Sequence, residues 1–168
     1  MNIVLKSSIA TLQKSINLLN ALSDDTLSNT SIPPYYSCIG SHIRHILDFY
    51  DCILVGLPTN EVDLTSRKRD EKMHCDCNYA SKNVSRVIEE MQTLSVVDLH
   101  QTIEVYDDLG LGKTKIPYTL GSLLAQANSH AIHHYAIINY MLDRLGVQVN
   151  DESFGYNPTT PRSEINLN

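Results

Sequence analysis

The sequence predicts an all-α protein: a four-helix bundle with a long crossover between helices two and three and a short irregular or hairpin insertion before helix four. Three observations carry this. The chain has 168 residues and 18.9 kDa, the size of one domain with a real core, read as a single domain over 1–168. Four stretches repeat apolar residues at the three-to-four spacing of one buried helix face. A polar connection of roughly 20 residues separates the second stretch from the third, too long for a tight turn and suited to a crossing.

Helix one is expected over residues 2 to 23, with Leu5, Ile9, Leu12, Ile16 and Leu19 on one face. The stretch "SDDTLSNTSIPPYYS" then turns the chain, and Pro33-Pro34 bars a helix until about Ser37. Helix two follows from about 38 to 55, its inward face formed by Ile39, Ile43, Ile46, Leu47, Tyr50, Ile53 and Leu54. Gly56 and Pro58 stop it. Residues 57 to 78 form the polar crossing, where Arg67 and Arg69 are expected at a pocket mouth or in holding the crossing, through Asp70 or a helix-two carboxylate. Helix three, about 79 to 97, buries Tyr79, Ala80, Val84, Val87, Ile88 and Met91. "TIEVY" and "KTKIP" flank "DDLGLG" and predict a short hairpin inserted on a helical protein. Helix four starts behind Thr119 as N-cap and runs to about Leu145, where Gly146 ends it. In the polar tail only Phe154 and Tyr156 are able to dock.

The net charge of −6, with 13 basic against 19 acidic residues, argues against a nucleic-acid partner. The N-terminus lacks an unbroken apolar run, so neither a signal peptide nor a membrane partner is expected, and the protein is placed in the cytoplasm. There the four cysteines, Cys38, Cys52, Cys75 and Cys77, stay reduced. "HCDC" at 74–77 brings soft ligands together, but no second Cys or His pair lies at zinc-finger or zinc-ribbon spacing from it.

The chemistry concentrates in helix four. Its buried stripe runs Leu120, Leu123, Leu124, Ala127, His130, Ala131, His134, Ile138, Met141 and Leu145, so two imidazoles stand where a core helix carries Leu or Ile. A buried polar ring without a partner costs on the order of 1 to 3 kcal/mol. Each ring therefore needs a hydrogen-bond acceptor, for which Tyr50, Tyr135 and Tyr140 are available, or a ligand that both rings hold together. Helix two offers His42 and His45 as a third ring. His42 lies nearer the centre of the apolar arc and His45 nearer its edge, and the spacing leaves the choice open. Two rings at i and i+4 plus one from another helix make the three-nitrogen set of metal sites that keep a position open. His133 lies off the stripe. "HAIHH" lacks the glutamate of H-E-x-x-H, the stripes lack the glutamates of a di-iron site, and no G-x-S-x-G elbow or Gly-rich phosphate loop occurs. No residue is compelling as a general base; His42 and His133 are the nearest catalytic candidates, and Tyr50 could donate or orient.

The blocks "SCIGSHIRHILDFYDCILVG", "VDLTSRKRDE", "TLGSLLAQANSHAIHHYAIINYML" and "FGYNPTTPR" resemble those of the DinB/YfiT-like superfamily, in the order one helix-two histidine, then H-x-x-x-H. The resemblance covers most of the chain outside helix one and the hairpin. It implies a DinB-type bundle, often a homodimer, holding a divalent ion such as zinc or nickel. Matching "RHILDFYD" to the family's helix-two block selects His45 as the ligand, with His130 and His134 as the helix-four pair. It also implies a metal-dependent enzyme acting on a small molecule, most plausibly a low-molecular-weight thiol S-transferase. A non-catalytic metal-binding or structural helical bundle is the alternative.

Overall fold

The computed structural model describes residues 1–161; Arg162, which closes the last of the resembling blocks, lies outside them. Among the described residues are five α-helices and a three-stranded sheet: α1 (Ile3–Ala21), α2 (Asp24–Ser28), α3 (Ile39–Gly56), β1 (Glu61–Asp63), α4 (Cys77–Thr93), β2 (Thr102–Asp108), β3 (Lys113–Thr119) and α5 (Leu120–Arg144). The fold is mixed α/β, which corrects the all-α four-helix expectation. The four long helices do pack together, with α1 and α3 each resting against both α4 and α5.

The correction comes from the crossing. β1 pairs in parallel with β2, Val62 opposite Val105, so the hairpin is part of a mixed sheet in the order β1-β2-β3 and not an appendage. Val62, Leu64, Ile103 and Val105 are buried, and β1 packs on α3. Three residues are too few to display a two-residue period, so β1 has no signature of its own in the sequence. The fifth helix, α2, has only five residues and falls within the stretch read as a turn, where the Ser23 side chain accepts from the Thr26 amide.

Helix one is also rotated from the expected face. Ser8 and Ser15 are buried where Ile9 and Ile16 are only partly covered. The Ser15 hydroxyl meets the Tyr135 hydroxyl at 2.6 Å, and the Tyr135 hydroxyl donates to the Thr11 carbonyl at 2.9 Å. A buried tyrosine needs those partners, and small polar residues on α1 let it approach. Phe154 stacks on the same Tyr135 ring at 4.9 Å between centroids, while Tyr156 is about half exposed at 49%.

Two helix starts position the histidines. Cys38 caps α3, its sulfur accepting from the Ser41 amide at 3.3 Å. Thr119 and Ser122 form a reciprocal capping box at the head of α5, each hydroxyl accepting from the other's amide at 3.1 Å. Gly40 lets the Met73–His74 backbone cross α3 so closely that a Cβ there would lie 2.6 Å from the His74 Cα.

Candidate metal centre

His42 and His45 come from α3, and His130, His133 and His134 from α5, across the contact between these helices. The ligand atoms of His45, His130 and His134 all lie within 4.8 Å of one another, a group that could hold a metal ion. Their ring centroids stand 4.5 to 4.8 Å apart and nearly edge to face, so nitrogens converge instead of rings stacking. A structural role for each ring would require hydrogen-bond acceptors. Yet the His130 Nε2 is buried and has no hydrogen-bond partner among the described residues, a nitrogen that a metal would satisfy.

The ring environments suit metal ligation. Burial pushes the His134 pKa down to about 3 and that of His45 down to about 4, with neighbouring histidines and, for His45, the Arg67 and Arg44 charges adding to the effect. Burial likewise lowers His130, with the Arg67 charge as the next cause. All three rings are thus neutral at pH 7, the form that binds metal.

His42 is outside the group and stands behind it. Its Nδ1 faces the His134 Nδ1 at 2.9 Å, and its Nε2 faces the Ser37 hydroxyl at 2.9 Å. Of the two ways to place the proton between the Nδ1 atoms, only one leaves the His134 Nε2 with a lone pair: His134 donates to His42, and His42 donates through Nε2 to Ser37. This relay occupies both nitrogens of His42. Burial and the nearby His133 lower the His42 pKa. Ser37 lies in the loop before α3, and nothing in its spacing marks it out.

Of the other candidates, His133 and Tyr50 fall away from the group and Arg67 reaches it. His133 is exposed, with its ring 5.5 Å from that of His134. Tyr50 is fully buried; its hydroxyl lies beside that of Ser8 without reaching hydrogen-bond geometry, and burial raises its pKa. Arg67 reaches the centre, with NH1 3.2 Å from the His45 Nδ1 and Nε donating to the Leu64 carbonyl at 3.0 Å. Arg69 is exposed and takes a left-handed backbone, φ 53°. Asp70 instead accepts from the Tyr79 hydroxyl at 2.7 Å, tying the crossing to α4.

All four cysteines are free. Burial raises Cys52 to about 11 and Cys77 to about 12, the latter aided by Asp24, so both stay thiols. The "HCDC" stretch contributes to no metal-holding group among the described residues. No described helix is long and apolar enough to cross a membrane.

No protein-family model, no curated protein and no solved structure matches the chain, so the site is argued from its own geometry.

Proposed function

We propose that the chain is a DinB-like metalloprotein of the cytoplasm, homodimeric, that holds a divalent ion, zinc or nickel, on His45, His130 and His134 and uses it as a low-molecular-weight thiol S-transferase. One observation carries the metal: three neutral imidazoles converge from two helices, one of them with an orphaned buried nitrogen. The reaction rests on the resemblance of the quoted blocks and on the chemistry of a three-ligand set. A divalent ion so held would supply an open coordination position and would favour the thiolate form of a thiol there.

The protein's own contributions follow from its geometry. In the tautomer that leaves the His134 Nε2 free for an ion, His134 donates to His42 and His42 to Ser37. Phe49 packs its ring 5.4 Å from that of His130 and walls the site on the α3 side. In the transfer, the thiolate sulfur forms a bond to an electrophilic carbon, a leaving group departs with its electron pair, and the thiol proton passes to solvent.

One observation favours the second reading, a metal-holding protein without turnover. Each general-base candidate is engaged or misplaced: His42 by its relay, His133 by its exposure, Tyr50 by its burial. The two readings separate in one experiment. Untagged protein is assayed for bound metal, then offered a panel of low-molecular-weight thiols with a chlorodinitrobenzene electrophile, beside His134→Ala. The transferase reading expects about one metal per chain and a turnover that falls at least tenfold in the variant. Bound metal without turnover above the variant leaves the second reading standing.

A further inference from the structure

The Nδ1 atoms of two of the three ligands meet different partners. A metal-bound histidine ordinarily donates its other N–H to an acceptor, which fixes the ring. His134 has such an acceptor in His42. His45 does not: its Nδ1 faces NH1 of Arg67 at 3.2 Å, and a guanidinium only donates. In the metal-free protein the His45 Nδ1 must accept from Arg67, which leaves the ring's one N–H on Nε2.

Binding an ion breaks this arrangement whichever nitrogen ligates. If Nε2 ligates, the proton of the neutral ring sits on Nδ1, and two donors face each other 3.2 Å apart. If Nδ1 ligates, the lone pair that Arg67 uses is gone. Either way Arg67 loses its acceptor, and where Nδ1 ligates, the freed NH1 stands beside the ion. Among the described residues Arg67 has no ion pair: Asp48, whose carboxyl feels the Arg67 charge, is paired with Arg44 at 3.2 Å. In a chain with 19 acidic residues, an arginine aimed at a cluster of histidines is an unusual use of charge. Its Nε remains tied to the Leu64 carbonyl at 3.0 Å, so the guanidinium stays at the site after NH1 is released.

We propose that Arg67 and the open metal position together bind an anionic group of the substrate, a carboxylate or a phosphate-type oxyanion, and that this site forms only when metal ligation has taken the His45 lone pair from Arg67. The inference rests on the three-histidine metal reading and adds the substrate's chemical class to it. With His45 ligating through Nδ1, one oxygen of the anion accepts from the freed NH1 and a second takes the open metal position.

The test uses the full chain, first stripped with a chelator and then loaded with cobalt. Acetate and methylphosphonate are titrated separately into both forms and followed by calorimetry and the cobalt visible spectrum; the two arms tell a carboxylate preference from an oxyanion one. Expected is binding of at least one of the two at least tenfold tighter to the loaded form, reduced at least tenfold in Arg67→Gln, which keeps or improves its metal affinity because a competitor for His45 is removed. A variant that unfolds is backed by a second measurement on the wild type: ring 15N shifts place the His45 proton on Nε2 before loading. Anion binding that is equal in wild type and Arg67→Gln, or a metal-free His45 protonated on Nδ1, overturns the inference. Wild type that takes up no cobalt overturns it together with the metal reading, whereas loading without Arg67-dependent anion binding overturns the inference alone.

Discussion

At the scale of single residues, the site depends on where a few protons sit. His42 is the residue at which this is most directly measured, because it touches His134 without belonging to the metal-holding group. Replacing it with Leu removes the acceptor that fixes the His134 tautomer, and losses of about 10–100-fold in metal affinity follow removal of such partners. His42→Asn keeps an oxygen near the place of Nδ1 and should recover most of that loss. Competition against a chromophoric chelator measures both; equal affinities in the Leu and Asn variants would mean that the Nδ1 contact has no role in ligation. The His130 and His134 positions were legible because polar rings on an apolar stripe require an explanation. The assignment of roles on α3 was not, since His42 and His45 lie three residues apart on one flank and differ only in what the rest of the fold puts beside them: Ser37 and His134 for one, Arg67 for the other.

At the scale of elements, the long helices were readable from their stripes and caps, and Thr119 heads α5 where the sequence places it. Their exact faces depended on partners that no periodicity encodes, as in the burial of Ser15 against Tyr135. The sheet was half legible. β2 and β3 carry β-branched and aromatic residues around a glycine-bearing turn, but β1 exists because its backbone finds β2 across the molecule. Gly40 records the same kind of long-range demand, since the backbone of residues 73 and 74 leaves no room for a methyl group on α3. Gly40→Ala therefore has to push the crossing away from α3. Although alanine is the better helix former by about 1 kcal/mol, a net loss of about 1–3 kcal/mol is expected from overpacking against backbone. Urea denaturation measures it, and a variant as stable as wild type would show that the crossing yields freely.

At the scale of the whole molecule, the β1–β2 ladder is what brings Arg67 to the histidines. Leu64, whose amide donates to the Tyr106 carbonyl at 2.9 Å, extends the ladder, and the Arg67 Nε in turn grips the Leu64 carbonyl. The two strands lie on opposite sides of α4 in the chain, so their pairing closes a long loop, whereas each helix forms from near neighbours. In the folded apoprotein Arg67 already holds the His45 lone pair, whereas in the unfolded chain that lone pair is free. An ion present while the chain folds meets a His45 whose lone pair is still unclaimed; an ion offered to the finished apoprotein must first unseat a guanidinium. Cobalt uptake should accordingly be faster when protein refolds from urea in its presence than when it is added to folded apoprotein. In Arg67→Gln the two rates should converge, a difference that stopped-flow absorbance reads directly. The fold would thus set a time at which its metal is most easily acquired, and that time is before the sheet has closed.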